Sequence, residues 1–201
     1  MHPYANREFA PYVLGVSELR YPDPPLADEI VLLRPWATLD VPAALMARDE
    51  PTIEGLPWPA DARYTQADAR RFFAEQEDAR MRGEEVHFAL VEHASPETVR
   101  GGCSLYGVDP THGRAAVGYW LTPAARGRGL ATRTTLLLAR FAFAQLGVAR
   151  LELTCGPDNE ASQHVAERCG FTREGLLRSH IPYRGERRDT VMYSLLAGEL
   201  P

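Results

Sequence analysis

The sequence predicts a single α/β domain on a mixed, mostly antiparallel sheet with helices on both faces. Three observations carry that reading. Apolar residues recur with period two in some stretches and with the helical period of about 3.6 in others, so strands alternate with helices. One long apolar helix pattern lies between two strand patterns, and such a unit closes as a right-handed crossover when its strands are parallel. The 201 residues, 45% hydrophobic and 24% charged, suffice for one core of ordinary composition.

Residues 1–28 are rich in proline, tyrosine and charge (YPDPPLADE at 21–29) and read as an irregular N-terminal extension; the domain proper is expected over 29–201. Residues 29–35 (EIVLLRP) form a strand, 40–49 a short helix after Thr38, and 54–59 (EGLPWP) a loop stiffened by prolines. Thr65 with Asp68 three residues on is a capping box, opening a helix to Gly83 with Ala69, Phe72, Phe73 and Gln76 along one side. Val86, Phe88 and Leu90 then alternate with His87 and Ala89, which is a strand. Two more strands follow at 98–106 and 115–121, separated by the turn-rich 109–113, and the three make an antiparallel meander.

Residues 128–146 form the long helix, apolar almost all round at Leu136, Leu137, Leu138, Phe141 and Phe143, so it is expected to be buried on the sheet. Residues 150–155 alternate Leu151, Leu153 and Cys155 against polar neighbours. A second helix, 160–169, ends at Gly170, a good C-terminal cap residue. Strands at 171–177 and 190–196 close the domain, joined by a polar loop over 179–189.

The charge distribution excludes some functions. The net charge is −5, all 22 basic residues are arginines and no lysine occurs. Up to residue 100 there are 10 basic and 18 acidic residues; beyond it, 12 and 9. That is too little positive charge for a nucleic-acid surface, though Arg184, Arg187 and Arg188 can meet a polyanion. No apolar run reaches the roughly 18 residues of a membrane span, and the N-terminus lacks the basic-then-apolar order of a signal peptide. A cytoplasmic protein is expected, with neither membrane nor nucleic acid as partner. Cys103, Cys155 and Cys169 form no CxxC pair, so neither a zinc site nor a disulfide framework is indicated, and no metal is expected; small buried hydrophobes are their ordinary role.

The most informative stretch is 117–132, VGYWLTPAARGRGLAT, a strand running through Pro123 into a glycine-containing loop and then into the long helix. Backbone N–H groups at a helix N-terminus lack partners and sit at the positive end of the helix dipole, so they hold phosphate. Gly127 and Gly129 allow close backbone approach, and Arg126 and Arg128 add charge. The pattern is a pyrophosphate cradle. It is not a P-loop, which needs a lysine, nor a dinucleotide fingerprint, since Leu130 and Ala131 follow Gly129 and the third glycine is missing.

These residues resemble the GNAT superfamily of N-acetyltransferases, whose signature [RQ]xxGx[GA] is met by Arg126, Gly129 and Ala131. The context matches the RimJ/RimL subgroup: Asn159 and Ser162 as N-x-x-S, then Gly170-Phe171, then Glu174-Gly175, with Leu56-Pro-Trp-Pro59 upstream. The similarity covers residues 32–196 and implies a GNAT-like domain with a splayed central strand pair that admits acetyl-CoA. It implies that the pyrophosphate lies on the amides of Arg126, Gly127, Arg128, Gly129, Leu130, Ala131 and Thr132. The pantetheine arm pairs with the backbone of Leu121 and Thr122 like an added strand, Asn159 contacts that arm, and Ser162 falls near the thiol. A thioester is already activated, so positioning supplies much of the acceleration, with a backbone N–H near Leu121 for the oxyanion and Ser162 as acid.

The base is the open role. Some RimL-type enzymes carry a glutamate nineteen residues after the serine; that position is Ile181. His180 beside it can take a proton through water, although an exposed loop histidine is the plainer reading; Glu174 and Tyr183 are further candidates. Tyr119 faces either the acceptor or the core. For Ser162 the plainer role is helix capping. The expected reaction is acetyl transfer from acetyl-CoA to a primary amine, first of all the N-terminal α-amino group of a protein or peptide. The alternatives are a small amine such as an antibiotic, polyamine or metabolite, drawn by Asp49, Glu50 and Glu54, and a non-catalytic acetyl-CoA-binding module. A homodimer is compatible with all three.

Overall fold

The structure, a computed structural model, describes residues 18–43, 65–183 and 185–201. Most of the expected helix at 40–49, the proline loop at 54–59 with its Leu56-Pro-Trp-Pro59 motif, the acidic residues Asp49, Glu50 and Glu54, and Arg184 lie outside the described residues. The elements in chain order are β1 (Leu26–Ala27), β2 (Val31–Arg34), α1 (Gln66–Met81), β3 (Val86–Glu92), β4 (Gly101–Asp109), β5 (Arg114–Leu121), α2 (Leu130–Ala144), β6 (Arg150–Cys155), α3 (Glu160–Arg168), β7 (Thr172–Tyr183) and β8 (Glu186–Leu196). They build one sheet of order β1-β2-β3-β4-β5-β6-β8-β7. Every neighbouring pair is antiparallel except β5 with β6, which is parallel.

The sheet separates two helical layers because successive strand residues point to opposite faces. On β3, Phe88 meets Phe141 of α2 edge to face at 6.3 Å, while its neighbour His87 meets Phe72 of α1 at 6.3 Å. α1 starts where the capping box predicts: Thr65 Oγ1 accepts from the Asp68 amide at 3.3 Å and Asp68 Oδ2 accepts from the Thr65 amide at 2.9 Å. α2 is buried along most of its length, through Leu130, Thr134, Leu137, Leu138, Phe141 and Ala142, each large apolar side chain contributing roughly 1.5–3 kcal/mol of burial. It begins at Leu130, later than the predicted 128, because Gly127 and Gly129 take φ of 71° and 76°. That left-handed backbone is incompatible with a right-handed helix.

Two expectations are corrected. The predicted irregular extension is part of the domain from residue 18 onward: Leu19 is 1% exposed in the core, Tyr21 packs edge-on to Phe88 at 5.6 Å, and β1 pairs with β2. The predicted polar loop over 179–189 is instead the outer part of a long β7–β8 hairpin, with Ile181 opposite Arg188 and Tyr183 opposite Glu186. Both faces of this arm are largely exposed, so no apolar alternation marks it. Its register shifts between Leu177 and Ile181 and is held there by side chains. The Ser179 amide donates to Asp189 at 2.6 Å, and Arg187 donates to the Ser179 carbonyl. Among the described residues no helix is long and apolar enough to cross a membrane.

Candidate functional site

The parallel pair at the centre of the sheet is brief. β5 and β6 share three rungs, Arg114 with Arg150, Ala115 with Leu151 and Ala116 with Glu152. Beyond them β5 pairs with β4 alone and β6 with β8 alone, so the strands splay and a gap opens from Val117 onward. The Thr122 amide donates to the Arg100 carbonyl at 2.8 Å, toward β4. Alternation along the strand then turns the backbone groups of Leu121, Tyr119 and Val117 into the gap. Leu121 thus faces the gap, whereas the Thr122 backbone, expected to pair with the arm, is taken by Arg100 and by the Ala125 amide at 2.9 Å.

At the wide end of the gap the chain passes through a 3-10 turn, Pro123–Ala125, into the loop before α2. The first helical bond runs from the Arg133 amide to the Gly129 carbonyl at 3.2 Å, so the amides of Leu130, Ala131 and Thr132 precede the helical ladder. A Cβ added to Gly127 or to Gly129 would meet nothing within 4 Å; the space before the helix is open, and the fit to a phosphate group is good. Leu130, 1% exposed, and Ala125, 0% exposed, anchor this loop in the core.

The two loop arginines are differently placed. Arg126 donates to the Leu121 carbonyl at 3.2 and 3.3 Å, tying loop to strand end. Arg128 makes a forked ion pair with Glu92 at 2.5 and 3.1 Å, and Glu92 also receives Arg100 at 2.7 Å. Glu92 is buried at the end of β3, and the Arg128 guanidinium holds its carboxyl below the usual range, with Arg100 adding to the effect. Sequence reading missed this triad. The sequence signals only that Glu92, closing the largely apolar β3, is costly to bury without a cationic partner; which arginines answer it is not written in the spacing.

At the narrow end, Tyr119 Oη and Ser162 Oγ lie 2.9 Å apart, bringing together two candidates from β5 and α3. Burial pushes the Tyr119 phenol up, the Ser162 bond offsetting part of the effect, so it holds its proton through the neutral range. Asn159 caps α3, its Oδ1 accepting from the Ser162 amide at 3.1 Å; the capping role belongs to Asn159 and leaves the Ser162 hydroxyl to Tyr119. Continuing the parallel register by three residues sets Cys155 level with Tyr119. Cys103, Cys155 and Cys169 are all buried, and burial pushes the Cys169 thiol up to about 12.

His180 stands on β7, with Nδ1 2.8 Å from Thr190 Oγ1, a contact that does not join it to the Tyr119–Ser162 pair. Glu174 is committed elsewhere. Arg150 grips it at 2.6 and 2.7 Å and Ser194 donates at 2.7 Å, which hold its carboxyl down to about 2, too weak a base for amine chemistry. The Tyr183 ring lies under the Arg188 guanidinium at 4.5 Å. Among the described residues no group of three or more His, Cys, Asp or Glu is placed to hold a metal ion.

Comparison with known proteins gives a consistent picture. The acetyltransferase (GNAT) domain family matches residues 31–172. YdaF of Bacillus subtilis, provisionally named a ribosomal N-acetyltransferase, is 35% identical over 99 residues, which is 49% of this chain and 54% of that protein. The chain thus matches only about half of YdaF. The spermidine N(1)-acetyltransferase of Escherichia coli is 30% identical over 91 residues, 45% of this chain and 49% of that protein. Among solved structures, a protein of Vibrio cholerae provisionally described as a ribosomal-protein-serine acetyltransferase superposes with TM-score 0.75 at 25% identity, covering 88% of this chain and 99% of that one. Mycobacterium smegmatis RimJ, solved in complex with CoA-disulfide, shares the fold with TM-score 0.74 at 23% identity, covering 85% and 84%.

Proposed function

The chain belongs to the GNAT acetyltransferases, and from that premise we propose that it binds acetyl-CoA along the β5–β6 gap and transfers the acetyl group to a primary amine, in the first place the α-amino group at the N-terminus of a protein or peptide. The observation that carries this reading is the gap itself, with an open helix N-terminus at one end and the Tyr119–Ser162 pair at the other. Bound there, acetyl-CoA supplies an activated thioester.

The residues of this chain do the rest. The amides from Gly127 to Thr132 hold the diphosphate, the Arg126 amide being taken by the Pro123 carbonyl at 3.3 Å, with the side chain of Leu130 turned into the core so that its backbone alone faces the anion. The free edge of β5, through Leu121 and Tyr119, orients the arm and offers an N–H to the carbonyl oxygen. Tyr119 and Ser162 together hold a proton for the departing thiolate, and Asn159 fixes Ser162 from behind. His180 takes the amine proton through water. An α-amino group titrates near ~7.7–8, so a good fraction is neutral at cytoplasmic pH and asks little of a base; this favours it over lysine.

The likeness to the spermidine enzyme supports a second reading, a polyamine or other small amine as acceptor. A panel of peptides differing in the first residue, run beside spermidine and aminoglycosides with thiol release as the readout, separates the two. Turnover of peptides is expected; turnover of the small amines alone overturns the first reading. Acetyl-CoA binding without turnover of any amine would leave a non-catalytic module.

A further inference from the structure

Gly118 lies in the splayed half of β5, two residues past the last rung with β6. The space its missing side chain leaves is used by Tyr106 of β4. A Cβ on Gly118 would stand 3.2 Å from Cε1 and 3.8 Å from Cδ1 of that ring. Tyr106 pairs with Ala116, and its phenol lies beside Thr154 on β6. The ring therefore lies over β5 at Gly118, which offers no side chain to obstruct it, and reaches toward the far bank of the gap. On the opposite face of the sheet, Tyr119 and Ser162 close the gap at 2.9 Å. The narrow end is thus bounded by the rung Ala116–Glu152 ahead, by Tyr106–Thr154 on the α1 face, and by Tyr119–Ser162 on the other. Tyr106 is 36% exposed, so the wall it forms is a single ring thick.

The cradle follows the C-terminal end of β5, so an arm anchored there and lying along the strand brings its tip to this narrow end. We propose that Tyr106, lying across Gly118, determines the length of acyl chain the protein accepts: the ring fills the space that carbons beyond an acetyl group would need. This rests on the acetyl-CoA reading above. The same ring leaves the diphosphate cradle untouched, since that lies at the other end of the gap.

Calorimetric affinities for acetyl-CoA and butyryl-CoA, with the ratio of their kcat/KM values on the best acceptor, test it in the wild type and in Tyr106→Ala, Tyr106→Leu and Tyr106→Phe. The wild type is expected to favour acetyl-CoA in both measures. Tyr106→Ala raises the butyryl-to-acetyl ratio by ~10-fold or more, the scale on which pockets discriminate methylenes. Tyr106→Phe, which keeps the ring, stays within about twofold of wild type on the same scale. Tyr106→Leu carries the test if the alanine variant does not fold. An unchanged ratio in folded Ala or Leu variants that still bind acetyl-CoA overturns the proposal, as does a wild type that takes butyryl-CoA equally well. Failure of the wild type to bind acetyl-CoA at all overturns the cofactor reading instead, before any variant is made.

Discussion

The Tyr119 hydroxyl is the polar group at the site whose protonation state the structure decides most clearly. Burial keeps its proton on, and the bond to Ser162 directs it, so the pair stays protonated, can donate a hydrogen bond to the departing sulfur and cannot serve as the base. Ser162→Ala is expected to lower kcat by ~100-fold, the low end for a positioned proton donor, with the affinity for acetyl-CoA unchanged; steady-state kinetics beside calorimetry checks the split. His180→Ala is expected to lower kcat/KM by ~100-fold, the low end for a positioned base, and unaltered kinetics would exclude it as proton acceptor. Ser162, Asn159 and Tyr119 could be singled out as candidates because the N-x-x-S spacing and the strand before the cradle are local patterns. The Glu92–Arg128–Arg100 triad could not, since nothing in the spacing of residues 92, 100 and 128 says that three strand and loop ends meet.

For the elements, helices and strands with a buried face were readable and the exposed hairpin was not. α1 begins at its capping box and β6 spans the predicted 150–155, because burial imposes a period. The outer β7–β8 arm carries none, and its register rests on Asp189 and Arg187 binding a bulge at Ser179, where φ is 52°. Gly129→Ala forces a left-handed residue at the start of α2 and is expected to cost about 1–2 kcal/mol, visible as a lower midpoint in urea, together with weaker acetyl-CoA binding. The joint between β6 and β7 has its own signature in acid. Arg150 and Ser194 hold the Glu174 carboxyl to about 2 against an ordinary 4.5. A depressed carboxyl contributes stability above its unfolded value, and that contribution is lost as pH falls from about 4.5 toward 2. Glu174→Gln should therefore flatten the melting temperature over that window relative to wild type and leave the neutral range little affected by pH.

In the molecule as a whole, the family match at 31–172 leaves residues before β2 outside it, yet the core does not stop there. Leu19 is part of the buried core, its amide donating to the Arg80 carbonyl at 3.0 Å and its carbonyl accepting from the Arg80 guanidinium. Leu19→Ala is expected to cost about 2–5 kcal/mol, as for other fully buried leucines, and thermal unfolding with acetyl-CoA binding measured alongside would separate that loss from any effect on the site. A proline-rich stretch gives no periodic pattern, which is why sequence alone assigned it to an appendage. The three-rung seam between β5 and β6 has a different kind of consequence. It leaves amides on one bank of an otherwise continuous sheet without a strand partner, and unpaired amides exchange their hydrogens with solvent quickly. Deuterium uptake at Val117, Tyr119 and Leu121 should be fast in the free protein and slow once acetyl-CoA lies against them, while Ala115, on the far side of the seam, stays protected in both.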